Sequence, residues 1–209
     1  MVDLLLANGA RQTMTKLGDT PVDMAGFCDE EATVDVFLRD FENRFRGVEP
    51  PEMIAVDEEN AAGRTPTNNQ VHPNMVHADL PNDPILENDL GKKIIKARRV
   101  RRQDLTEQEA HDIRLFYWAA YYGKVRYLKI MVEELRWSPF IKSFKRRSIV
   151  SGAIMGSQVD TVRFLLGDYK YEQVEQQQLV ELARTIFNKD ESDNNCLHFS
   201  YMADLPEVR

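Results

Sequence analysis

Cysteine is almost absent from this sequence: Cys28 and Cys196 are the only two in 209 residues. So few thiols, so far apart, build no disulfide framework, and they fit a reducing compartment of cytosolic type. Long apolar runs are also missing. None approaches the roughly 18 residues of a membrane span, and no basic-then-apolar leader opens the chain, so membrane insertion is not expected. Positive charge is not in excess. The 27 Lys and Arg face 34 Asp and Glu, a formal net charge of −7, which argues against a chain built to coat nucleic acid. There is no GxxxxGK(S/T) loop, HExxH, CxxC or GxSxG, so neither an enzyme, a cofactor nor a small-molecule substrate is expected.

What the chain does contain is a hydrophobic content of 43% in a length sufficient for a sizeable core. That content is concentrated in helical hairpins. The stretch LFYWAAYYGKVRYLKIMV, Leu115 to Val132, reads as two short helices with a tight turn at Gly123. Ala119 and Ala120 give the first helix a small-residue face. Val125, Leu128, Ile130, Met131 and Val132 give the second a broad apolar one. Helices this short cannot bury such surface alone, so the unit must stack on others like it.

Others are present in register. Thr20-Pro21-Val22-Asp23-Met24-Ala25 starts a hairpin in which Thr20 can cap and Pro21 fills the first helical position. Val34, Val36, Phe37 and Leu38 form its second apolar stripe. This unit resembles an ankyrin repeat, whose signature is a turn, TPLHxA and a helix ending in a Leu-rich triplet. Leu4-Leu5-Leu6 precedes Val36-Phe37-Leu38 by 32 residues, and Ala25, Ala119, Ala153 and Ser200 hold equivalent positions. The third and fourth copies read RLFY and SIVS where the family has TPLH, so they lose the threonine cap and their leading turns are expected to be irregular.

The expected fold is all-α, an ankyrin-repeat solenoid of stacked helix pairs with two insertions. Residues 1–40 are a partial repeat plus a full one, and 41–104 a proline-rich acidic insertion ending in a basic run. Residues 105–166 are two repeats, 167–193 a helical insertion, and 194–209 the start of a further repeat. Both ends fall inside a repeat, so a fragment of a longer array, or capping by a partner, is expected.

The first insertion holds six of the nine prolines, and an extended loop is expected over 49–84. Residues 41–91 carry ten acidic against three basic side chains. Lys92, Lys93, Lys96, Arg98, Arg99, Arg101 and Arg102 then follow with no acid among them. This run, with a second cluster at Lys142, Lys145, Arg146 and Arg147, could bind an acidic protein surface such as tubulin. A solvated face, or pairing with the acidic insertion, is the alternative. Thr106 and Glu109 have capping-box spacing, so the helix before Gly123 should begin near Thr106. Leu179, Leu182, Ala183, Ile186 and Phe187 recur at helical spacing in the second insertion.

Other candidates read as structure. His72 and His77, near Asp79, fit a solvated loop better than a metal site, and Asp57-Glu58-Glu59 lacks a catalytic partner. His198, at the repeat's histidine position, reads as a hydrogen bond between turns. No calcium loop is expected: after Phe116 the chain supplies no acidic ligands, and DEENAAGRTPTN lacks a closing glutamate.

The resemblance implies a non-enzymatic scaffold that binds other proteins on the concave face lined by the first helix of each pair. Carried onto this chain, the outward positions there are Met24, Phe27, Cys28, Trp118, Tyr121, Tyr122, Met155, Phe199 and Met202. Their aromatic and sulfur content is that of an interface, or of a patch that an insertion or further repeats fold back to cover. LFYWAAYYGK, SIVSGAI and GSQVDTVRFLLG are further similar to the ankyrin-repeat and EF-hand-domain proteins associated with cilia. That narrower likeness implies a cytoplasmic setting in a ciliary, axonemal or cytoskeletal assembly. The alternative is the cytosolic ankyrin domain of a larger signalling or channel protein, by fold analogy.

Overall fold

The computed structural model describes residues 1–10, 12–47, 85–87, 91–97, 105–172 and 189–204. These residues are mostly helical. Strands among them are short, of two, four and four residues. The expected loop over 49–84 and the amphipathic helix read at 179–187 lie outside the described residues.

The helices are α1 (Val2–Ala7), α2 (Pro21–Phe27), α3 (Glu31–Arg46), α4 (Glu107–Tyr121), α5 (Val125–Lys129), α6 (Ile149–Met155), α7 (Val159–Gly167) and α8 (Cys196–Met202). α5 runs on into a π-helical turn, Ile130–Glu134, and a 3-10 turn, Phe144–Arg146, precedes α6.

Local chemistry sets where the helices begin. Thr20 and Asp23 close a reciprocal box in which each side chain accepts from the other's backbone N–H, at 2.9 and 3.3 Å, with Pro21 at the first helical position. Thr106 and Glu109 do the same at 3.0 and 3.1 Å, so α4 starts where its spacing indicates. The fourth unit keeps a cap after all. Ser148 Oγ accepts from Ser151 N–H at 3.2 Å, because serine can do what threonine does there. The third unit needs none at Arg114, since α4 has already begun two turns earlier. Asn195 caps α8 through Leu197 and His198 N–H.

α2 packs on α4, α4 on α6 and α6 on α8, forming one row of helices. α3, α5 and α7 each pack on the helix before them in their pair, and α1 leans on α3. Ala25, Ala119, Ala153 and Ser200 are all buried in the inner row. Glycines open the seams further. A Cβ on Gly26 would lie 2.4 Å from the Trp118 ring, and one on Gly152 would lie 2.9 Å from that of Tyr117. The core between the rows contains Leu38, Phe116, Leu128, Met131, Trp137, Ile149 and Leu165. The Phe116 and Trp137 rings sit 6.1 Å apart.

A small sheet was not expected from the sequence. β1 (Leu86–Glu87) pairs antiparallel with β2 (Lys93–Lys96), and β2 pairs parallel with β3 (Tyr169–Glu172) in the order β1-β2-β3. β2 belongs to the first insertion and β3 to the second, so the two insertions are joined to each other. Ile95 is fully buried on β2. Tyr169 OH and Lys93 Nζ both donate to Glu133 Oε1, at 2.6 and 2.8 Å, which ties the sheet to the π turn.

The tightest seam is at Gly156, where a Cβ would come within 1.8 Å of the Tyr121 carbonyl oxygen, a backbone atom with little freedom to move. Gly156→Ala should therefore destabilise the chain by roughly 1–3 kcal/mol, the cost of overpacking. Gly167→Ala is the control, because nothing lies within 4 Å of its Cβ position. Urea denaturation should place the Gly167 variant at or above the parent midpoint, since alanine is the better helix former.

Candidate functional site: the aromatic face of the inner helices

The inner helices place five aromatic rings in one connected group. Trp118 meets Phe27, Tyr117 and Tyr121 edge-on at 5.7, 5.3 and 5.2 Å, and Tyr122 in a stacked arrangement at 6.2 Å. Tyr121 and Tyr122 touch at 5.0 Å. Offset and edge contacts of this kind are favoured by the ring quadrupole.

Trp118 is not an outward-pointing residue. It is only 4% exposed, and its indole Nε1 donates to Asp23 Oδ1 at 2.9 Å. The cause is the approach of α4 to α2 at Gly26, which leaves a ring-sized gap that the indole fills. Asp23 is fully buried and acts as a hub. Its Oδ2 accepts from Thr20 N–H and Thr20 Oγ1, each at 2.9 Å, and faces Arg114 Nη1 at 3.4 Å. Arg114 Nη2 also donates to the Gly18 carbonyl at 3.2 Å. Phe199 is a second correction. It is 3% exposed, with the Arg147 guanidinium 5.4 Å over its ring and Arg147 Nε bonded to Asp190 Oδ2 at 3.1 Å.

The remaining residues of the set are more accessible. Met24, Phe27, Cys28 and Met202 are exposed, and Tyr121, Tyr122 and Met155 are half-buried. Tyr122 OH donates to Asp29 Oδ1 at 3.2 Å, and Tyr117 OH to Met155 Sδ at 3.4 Å. Burial pushes the Tyr117 phenol up to about 12, and burial with the Asp29 carboxylate raises Tyr122 further, so both stay neutral donors. Tyr201 and Leu197 of α8 are also exposed. The register reading missed them because it took only the residue before each small position and those two and three after it.

The basic run is divided. Lys93 Nζ pairs with Glu133 Oε1 at 2.8 Å, with its side chain 42% exposed. Lys92 is half-buried. The Lys96 side chain, and all of Arg98, Arg99, Arg101 and Arg102, lie outside the described residues, as do His72, His77, Asp79 and residues 57–68. Among the described residues no group of three His, Cys, Asp or Glu side chains could hold a metal ion, and no helix is long and apolar enough to cross a membrane. Among the described residues His198 bonds within its own turn, its Nδ1 lying 2.6 Å from Asn195 Oδ1, rather than to a neighbouring hairpin.

One buried group was not singled out in the sequence. His111 is almost fully enclosed on α4, and neither ring nitrogen has a hydrogen-bond partner among the described residues. Desolvation holds it below its ordinary value of 6.5, although Glu107, Asp112 and Asp23 oppose the shift; Arg114 works with it. Asp112, one residue on, is bonded to Arg44 and Gln108 at 3.1 and 3.0 Å, yet burial pushes its carboxyl up.

No family model matches the chain, and neither a curated protein nor a solved structure is significantly similar to it.

Two measurements follow from this geometry. Asp23→Ala removes the carboxylate that accepts from the Trp118 indole and faces the Arg114 guanidinium in a buried site, and should cost about 3 kcal/mol in chemical denaturation. Trp118→Phe orphans only one carboxylate oxygen and should cost roughly 1–3 kcal/mol, with the double variant well short of the sum.

The second concerns pH. Because His111 is neutral when folded, the unfolded chain binds more protons below 6.5. Stability should fall as pH drops from 7 through that value and flatten only once the lowered folded pKa is passed. Asp112, with its raised pKa, acts in the opposite sense near the acid end. Glu42 and Glu133 are held low, so their stabilising contributions are lost only as pH falls below their ordinary 4.5. Denaturation midpoints between pH 7 and 5 should decline for the parent, and the decline should vanish in His111→Phe.

Proposed function

We propose that this chain is a non-enzymatic repeat scaffold of ankyrin type that binds other proteins along the exposed side of its inner helices. The observation that carries the reading is the inner row itself. α2, α4, α6 and α8 succeed one another with a buried small residue at each equivalent position, Ala25, Ala119, Ala153 and Ser200. Such a row is rigid, and recognition then needs only side chains displayed upon it. The narrower placement in a ciliary or cytoskeletal assembly rests on the likeness of the segments quoted above.

Accessible residues of the face are where contact should occur, rather than Trp118 or Phe199. A photo-crosslinking amino acid at position 24 should trap a discrete partner in cell extract. The same probe at position 160, an exposed position on α7, should not. Equal trapping from both positions, or none from position 24, would remove the inner face as the interface.

A further inference from the structure

Between the π turn and α6 the chain reads Lys142-Ser143-Phe144-Lys145-Arg146-Arg147, four cations with no carboxylate among them. The backbone doubles back there. Lys142 and Ser148 form a bridge, and Ser143 N–H donates to the Arg147 carbonyl at 2.7 Å. At the tip Lys145 and Arg146 are both left-handed, with φ of 49° and 59°. Non-glycine residues hold that conformation only where surrounding contacts impose it. Two such contacts are present. Glu191 N–H donates to the Lys145 carbonyl at 3.3 Å, and Lys145 Nζ sits 5.3 Å from the centroid of the Phe27 ring. The finger thus extends from the foot of α6 to the end of α2.

Its cations are not equivalent. Arg147 is consumed by Asp190 and Phe199. Lys142 and Arg146 are exposed, and among the described residues neither has a carboxylate within ion-pair distance. Partial desolvation, then the neighbouring Arg146 guanidinium, lower the Lys142 pKa, the sign expected where cations crowd with no anion to offset them. Beside Lys145, at the tip of the finger, lies apolar surface: Phe27 is 45% exposed, and Met24, one helical turn away on α2, is 49% exposed. Beyond Phe27 the sign reverses, with Asp29, Glu30 and Glu31 exposed at the turn into α3.

We propose that the finger and the exposed face of α2 form a docking site for an acidic peptide segment of a partner protein. Its carboxylates would lie on Lys142 and Arg146 and an apolar side chain on Phe27 and Met24. This rests on the scaffold reading and specifies the partner's chemistry. Charge decides between classes of anion. A nucleic acid would be drawn to the finger, but its evenly spaced phosphates would meet Asp29, Glu30 and Glu31 on passing Phe27. A peptide can confine its negative charge to one end and present an apolar residue at the other.

The test uses the whole chain and fluorescence anisotropy with a fluorescein-labelled peptide of six glutamates followed by Leu-Phe-Leu. Saturable binding that weakens as salt rises is expected. Lys142→Glu with Arg146→Glu should weaken it at least tenfold, and Met24→Glu by a similar factor. All three residues are exposed, so thermal midpoints should stay near the parent's. Replacing Leu-Phe-Leu with Gly-Ser-Gly should also lose affinity. The proposal is overturned by no saturable binding at 1 mM peptide, or by undiminished binding to the doubly reversed chain. Equal or tighter affinity for a single-stranded oligonucleotide or phosphatidylserine vesicles overturns it too. If the protein trapped from position 24 binds the doubly reversed chain as tightly as the parent, the scaffold reading stands and this inference alone falls.

Discussion

The bond from Trp118 to Asp23 spans 95 positions of sequence and is the contact on which the stack depends. It joins the second helix pair to the third across the whole of the first insertion. Three features make it specific. Gly26 removes the one side-chain atom that would keep the indole away, Asp23 presents an oxygen where the ring nitrogen arrives, and Thr20 holds that carboxylate by two further bonds. A misregistered seam would bury Asp23 without its donors, which costs far more than a lost apolar contact. Polar specificity and close approach therefore act at one point.

Ion pairs on the other side of the same seam complement it. Lys124 Nζ reaches Glu31 and Asp35 at 2.6 and 2.9 Å, Arg126 Nη2 reaches Glu42 at 2.7 Å, and Arg44 Nη2 reaches Asp112 at 3.1 Å. Burial alone would raise Glu42, but hydrogen bonds from Arg126 and Arg46 hold it low. Lys124 and Arg126 come from the third pair, and the carboxylates they meet lie on α3. Lys124 with Glu31 and Asp35 is partly exposed and contributes little, whereas Glu42 and Asp112 are buried carboxylates that need their cations. Lys124 and Arg126 share one polarity, while the Arg44–Asp112 pair runs the other way, with its cation on α3 and its carboxylate on α4.

The helices were legible because their signals are local. Thr20 with Pro21, Thr106 with Glu109, and Gly123 (φ 68°) each mark a boundary through chemistry within four residues. The inner row was legible through the recurrence of small residues. Trp118 and Phe199 were misread for a definable reason. Helical register reports which side of a helix a residue occupies, but not how closely the next helix approaches, and that distance is set by Gly26 and by the Arg147–Asp190 pair from other parts of the chain. The sheet was invisible for a related reason. Ile94 and Ile95 sit between lysines in a run whose charge dominates any reading, and the partner strand lies in a different insertion.

That sheet changes what the insertions mean physically. Lys93 and Tyr169 meet at a single Glu133 oxygen, so one carboxylate of the π turn fastens the ends of both insertions. A π turn widens the helix by one residue per bond, as where Leu135 N–H reaches back five residues to Ile130, and Trp137 N–H then reaches back six to Met131, both at 3.0 Å. Trp137 is thereby carried into the core against Phe116, while Glu133 remains on the side facing the strands. Anchoring at this turn pairs Lys93 with a carboxylate while leaving its side chain 42% exposed, so the same contact that fixes the sheet also offsets one charge of the basic run.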